Sequence, residues 1–146
     1  MAGKINKLLC ATDGSRSAQG AVAYAVQFAK ELNAQLTFAT VSAVAAEDTR
    51  QYASWDSVLA NAVNSQLHDA LHQAGKEAQA AGLANPHYAI LHGRDIAKAL
   101  VKFAEAEGFD QIICGSQGAT GIARMVLGSV AEHIVRLAHC PVTVVR

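Results

Sequence analysis

Short apolar runs alternate along this chain with longer segments whose apolar residues return every three or four positions. The run from Lys7 to Thr12 (Lys-Leu-Leu-Cys-Ala-Thr) is stopped by Asp13-Gly14-Ser15, the pattern of a buried strand and a turn, and Ser15 is placed to cap a helix. Ala18, Ala21, Val22, Ala25, Val26, Phe28, Ala29 and Leu32 then recur at helical spacing and predict a first helix with one apolar face. Leu36 to Val41 holds β-branched and aromatic residues, is too short for a helix, and predicts a second strand. Ser42 to Asp56 has no clean period and reads as a long loop. Leu59, Val63, Leu67, Ala70, Leu71, Ala74 and Ala78 mark a second helix that ends near Gly82, with Pro86 beyond it.

Tyr88 to Leu91 predicts the third strand. Asp95 is placed to cap a third helix carrying Ile96, Ala97, Leu100, Val101 and Ala104, with Gly108 past its end. Gln111 to Cys114 is a brief fourth strand. Val130, Ala131, Ile134, Val135 and Ala138 line a last helix, and after Pro141 the chain closes on a strand from Val142 to Val145. Strand and helix alternate throughout, which predicts one α/β domain over residues 1–146: a doubly wound parallel sheet with helices on both faces and right-handed crossovers. In such sheets ligands sit beyond the carboxyl ends of the strands, where the strand order reverses.

Composition narrows the picture. With 51% apolar and 16% charged residues, a chain of 146 has the apolar surface to offset the entropy of ordering. Its 12 basic and 12 acidic residues cancel and form no basic cluster, so no nucleic-acid partner is expected. Neither a signal-peptide pattern nor an apolar stretch of roughly 20 residues appears, so a cytoplasmic protein without a membrane partner is expected. Cys10, Cys114 and Cys140 lie in or beside apolar runs and read as buried, reduced thiols. A Cys10–Cys114 disulfide would need neighbouring strands and an oxidising setting.

The segment richest in chemistry follows the fourth strand. Gly115 to Ser129 fits Gly-x2-Gly-x9-Gly-Ser, with a further glycine at position 121. Glycines let a backbone approach a ligand closely, so that several N–H groups converge on phosphate oxygens. Gly128 and Ser129 open the last helix, whose free N–H groups and positive dipole end favour an anion; Ser129 adds a hydroxyl and Arg124 a positive charge. A Cβ at Gly118 or Gly128 is expected to crowd the phosphates or force the loop from its required φ/ψ. Ser129 and Glu132 also match a capping box, a role compatible with phosphate binding because the helix offers more than one free N–H.

Three pieces of this sequence resemble the universal stress protein family over the whole length: the opening strand with its Asp13-Gly14-Ser15 turn, the Gly115–Ser129 spacing of the ATP-binding branch, and Ala138-His139-Cys140-Pro141-Val142 before the last strand. The resemblance implies a five-stranded sheet of order 3-2-1-4-5, with the reversal beside Asp13 and Gly115. It implies ATP, with Mg2+ or Mn2+ held through the phosphates, in a site of Ala11, Thr12, Asp13, Val41, Gly115, Ser116, Gly118, Arg124, Gly128, Ser129 and Val130. There Asp13 and Gly115 meet the ribose, the Val41 backbone reads the adenine edge, and Gly118, Gly128, Ser129 and Val130 meet the phosphates. Thr12 and Thr40 depart from the family pattern, which has an apolar residue and a histidine there.

The resemblance also implies a regulatory, nucleotide-binding role and a homodimer through the C-terminal strand, whose segment Val142-Thr143-Val144-Val145 carries no charge to protect an edge. The rival is a slow ATPase or nucleotidyl hydrolase using the same loop, and the absence of a recognisable base or arginine-finger arrangement weighs against fast turnover. Separately, Asp13 as a general base, His133 as a shuttle and Ser129 as a nucleophile would need a triad-like arrangement. His68 and His72, four apart, can place two imidazoles on one metal, but no third ligand is evident and the pair reads as a solvated helix edge. His139 complements the negative end of the last helix.

Overall fold

The computed structural model describes residues 3–43, 58–117 and 127–146, with side chains from residue 67 onward in the helix that begins at Val58. The elements run β1 (Lys7–Ala11), α1 (Arg16–Leu32), β2 (Gln35–Ser42), α2 (Val58–Ala80), β3 (His87–His92), α3 (Ile96–Ala106), β4 (Gln111–Gly115), α4 (Ser129–Leu137) and β5 (Val142–Val145). The five strands form one parallel sheet of order β3-β2-β1-β4-β5. The loop expected from Ser42 to Asp56 falls almost wholly outside the described residues, and Ser42 itself ends β2.

The sheet's period of two sorts its residues between two layers. Leu8, Cys10, Leu36, Phe38 and Ile113 face α1 and α2, where they meet Val22, Val26, Leu71 and Ala74. Leu9, Ala39, Ile112 and Cys114 face α3 and α4 and meet Leu100, Ala104, Ala131 and Ile134. Because β1 and β4 pair Cys10 with Ile113, Cys114 lies one residue out of step, and the two thiols point to opposite layers. A disulfide between them is thereby ruled out; both are free and buried. Burial pushes the Cys10 thiol up, with the neighbouring Cys114 adding to it, and pushes Cys114 up to about 11, so both stay protonated. Cys140 departs from expectation in being half-buried.

Capping follows the sequence at two helix starts. Ser15 Oγ accepts the Ala18 N–H at 3.3 Å and Asp95 Oδ1 accepts that of Lys98 at 3.0 Å. At the far end of α1, Asn33 takes the left-handed conformation (φ 53°) and donates to the last-turn carbonyls, a role usually filled by glycine. The central pair is clamped at its entry: Asp110 Oδ2 accepts the N–H groups of Asn6 and Lys7 at 2.8 and 2.9 Å, and the Asp110 N–H donates to the Lys7 carbonyl at 2.8 Å.

Candidate functional site

Strand order reverses between β1 and β4, so their carboxyl ends open a crevice instead of meeting a crossover helix. A cavity of about 120 Å³ lies there, lined by Ala11, Thr12, Asp13, Val41, Gly115 and Val130 among the expected site residues. Ala18, Ala39, Thr40, Leu67, Ile96, Leu100, Cys114, Gln117, Ala131 and Ile134 complete the walls among the described residues. Two clefts of about 540 and 880 Å³ exist elsewhere, but they lie along α2, away from the strand ends, and gather none of the loop residues.

The first rim is the turn after β1. Asp13 Oδ1 accepts the Ser15 N–H at 2.9 Å and Thr12 Oγ1 accepts that of Gly14 at 3.2 Å, which fixes the turn from within. Gly14 sits at φ +81°, a conformation that strains any other residue. Asp13 is exposed and lines the crevice.

The second rim is β2, which outlasts β1. Strand backbones send successive residues' polar groups alternately to either neighbour. The Ala39 carbonyl accepts the Thr12 N–H at 2.9 Å, toward β1, and the Ser42 carbonyl accepts the Gly93 N–H at 3.0 Å, toward β3. Val41 therefore turns its N–H and C=O to the β1 side, past the last bond joining those strands among the described residues.

The third rim is the end of β4 and the start of α4. The Ser116 N–H donates to the Val145 carbonyl at 2.9 Å, and the Ser116 carbonyl accepts the Gly128 N–H at 2.7 Å, so both feet of the intervening loop are tied together. Gly118, Gly121 and Arg124 fall outside the described residues. Ser116, Gly128 and Ser129 stand at this rim without lining the cavity. Gly115 has a reason of its own: a Cβ there would stand 2.5 Å from Ser17 Oγ and 2.8 Å from the Ser17 carbonyl carbon and oxygen, so β4 and the start of α1 touch backbone to backbone.

The expected capping box is not formed. Gly128, not Ser129, is the N-cap of α4, and among the described residues no side chain caps the first turn. Ser129 is already the first helical residue, while Glu132 faces Arg136 at 3.4 Å instead of reaching back. The Gly128–Ser116 bond sets the helix entry one residue early. Gly128 itself has φ −62° and ψ 155°, open to any residue, so its expected dependence on unusual φ/ψ is also corrected. With the Gly128 N–H on Ser116 and the Glu132 N–H on the Gly128 carbonyl, the N–H groups of Ser129, Val130 and Ala131 make no hydrogen bond among the described residues at the positive end of the helix.

Of the other candidates, His133 is exposed, and neither it nor Ser129 lines the cavity that Asp13 shares with Val130, Ala131 and Ile134. His68 is half-buried and His72 exposed, both along α2, and the described residues contain no group of three or more potential metal ligands. Ile96 and Leu100 were expected in the core stripe of α3 and prove also to be cavity wall. The signal for them was positional: α3 starts at the carboxyl end of β3, so its first apolar residues overlook the crevice.

Comparison with known proteins agrees with this architecture. The sequence profile of the universal stress protein family matches residues 4–146. A universal stress protein of Methanocaldococcus jannaschii is 34% identical over 146 residues, covering 96% of this chain and 81% of that one. The crystal structure of a universal stress protein in complex with cAMP aligns with a TM-score of 0.78 at 29% identity, over 99% of each chain. The universal stress protein UspA of Lactobacillus plantarum aligns at 0.79 and 26%, again over 99% of each. Strand order, tied loop and matched length converge on one assignment: the chain belongs to the universal stress protein family.

Proposed function

We propose that the chain binds an adenine nucleotide in the crevice between β1 and β4, ATP with a divalent cation bridging its phosphates, and acts as a regulatory module in stress response. The observation that carries this reading is the start of α4: three first-turn amides without a hydrogen-bond partner among the described residues, held at the switch point by the Ser116–Gly128 tie. The cavity is too small to enclose a nucleotide, so in this proposal it takes the base against its apolar wall, with Val41 N–H and C=O on the base edge and Asp13 at the ribose. The phosphates then lie over α4, with Gly118 allowing close approach and Arg124 supplying positive charge. The related structure with cAMP supports an adenine nucleotide as the ligand class. Binding, not turnover, is the activity proposed, since Asp13 is the one carboxylate on the described cavity wall and no histidine lines it.

Isothermal titration with ATP and magnesium tests the reading. Asp13→Asn keeps an acceptor for the Ser15 N–H while removing the charge, and is expected to weaken binding about 10-fold, roughly 1.4 kcal/mol, without lowering the melting temperature. A dissociation constant equal to wild type would put the nucleotide elsewhere.

The same proposal includes a homodimer through β5. This strand lies at the sheet edge, and its backbone alternates: Pro141 and Val145 carbonyls bond β4, which leaves Val142 and Val144 to present their polar groups outward. The side chains of Val142 and Val144 pack toward α3 and α4, so a charge there would strike the core. Val144→Pro instead removes an outward N–H and spares the β4 ladder. Light scattering should give twice the 15.3 kDa monomer mass for wild type and the monomer mass for this variant. A monomeric wild type at high micromolar concentration would remove the dimer.

A further inference from the structure

The cleft of about 540 Å³ between α2 and the edge strand β3 shares no lining residue with the β1–β4 crevice, and it has the size of a small-molecule site. Leu71 from the helix and Ile90 from the strand give it an apolar lining, and the ring of Tyr88, 50% exposed, adds an aromatic one. His68, His72 and Lys76 follow one another at intervals of four on α2, so they share a helix face, and all three line the cleft. No carboxylate lines it among the described residues. Within those residues Lys76, His72 and the Tyr88 hydroxyl make no hydrogen bond or ion pair. The cleft therefore offers donors and a positive charge beside apolar surface.

Gly75 shows that the fold gives up stability at this place. It lies inside α2, where glycine is a poorer helix former than alanine. Tyr88 explains it: a Cβ at Gly75 would stand 2.5 Å from Tyr88 Oη and 3.2 Å from Cζ, so the missing side chain lets the ring reach the helix. Because the ring stays half-exposed, the core gains little from this arrangement, whereas the cleft gains an aromatic wall that ends in a hydroxyl. We propose that the cleft is a second ligand site, which takes an aromatic acid: a planar apolar ring carrying one carboxylate, sulfonate or phosphate. The ring packs on Tyr88 and Ile90, and the acid group meets the Lys76 ammonium, with His72 and the Tyr88 hydroxyl as further donors. A neutral ring of the same size leaves the ammonium unused, so the site selects for the charge. This inference stands apart from the nucleotide reading.

Fluorescence titration with 8-anilinonaphthalene-1-sulfonate, a ring system bearing one sulfonate, tests the site. Wild type should bind the dye saturably, and benzoate should displace it while benzamide, the same ring without the charge, should not. Lys76→Gln alters an exposed side chain and should weaken dye binding about 10-fold without changing the melting temperature. Gly75→Ala should weaken binding as well, by driving the Tyr88 hydroxyl into the cleft, while the ligand-free protein melts at the wild-type temperature or higher because alanine is the better helix former. Should Gly75→Ala melt lower, the glycine serves the fold, and Lys76→Gln alone decides the site. Wild-type dye affinity in Lys76→Gln, benzamide competing as well as benzoate, or no saturable binding to wild type would each overturn the proposal.

Discussion

Gly115→Val is expected to cost the fold at least about 3 kcal/mol, the upper part of the range for forcing extra atoms into a packed interior. The cause is the contact with Ser17. Even the first added carbon stands 2.8 Å from the Ser17 backbone, and backbone cannot rotate aside as a flexible side chain does. Relief would require α1 to withdraw from β4, breaking the 3.1 Å bond that the Gln117 N–H donates to Ser17 Oγ and loosening the layer built on Val22 and Ile113. Gly115→Ala should fall between wild type and valine. Urea unfolding of the three proteins without nucleotide measures this directly. A valine variant within about 1 kcal/mol of wild type would mean that the strand and helix part at little cost.

Gly128→Val is expected to do the opposite, sparing the fold and removing the ligand. Its φ of −62° and ψ of 155° suit valine, so the stability cost should not exceed about 1 kcal/mol, the difference between good and poor N-cap residues. Nucleotide affinity should fall about 100-fold, or roughly 2.7 kcal/mol, because a branched side chain would stand beside the three open amides where the phosphates approach. Titration with ATP and magnesium, paired with thermal melts, separates the two effects. Affinity unchanged from wild type would show that the anion, if one binds, does not sit over α4.

These two glycines show what was legible in the sequence and what was not. Strands and helices were readable because their apolar periods are local, and most observed ends lie within a residue or two of the expected ones. The α1 terminus depended on Asn33 adopting a conformation that a glycine more often supplies. The capping box was misread because Gly128-Ser129 contains two acceptable N-cap residues side by side, and the bond to Ser116, a contact across the loop, decides between them. Gly115 read as part of a phosphate loop, but its tightest constraint comes from Ser17, far away in the chain, and no local pattern reports such a contact. The cavity wall was hidden for a related reason. Leu100 and Ile134 serve the core and the crevice with the same apolar surface, so their spacing cannot separate the roles.

Pairing β1 with β4 aligns Leu8 with Gln111, so the sheet's central junction joins the beginning of the chain to a segment near its end. Closing that junction costs more chain entropy than any βαβ step beside it, which makes it a slow event in folding. The crevice exists only once this closure is complete. A ligand seated across it therefore acts as a clasp on the least local contact of the sheet, and its binding energy adds to the stability of the whole molecule by mass action, so that heat denaturation should respond to ligand concentration.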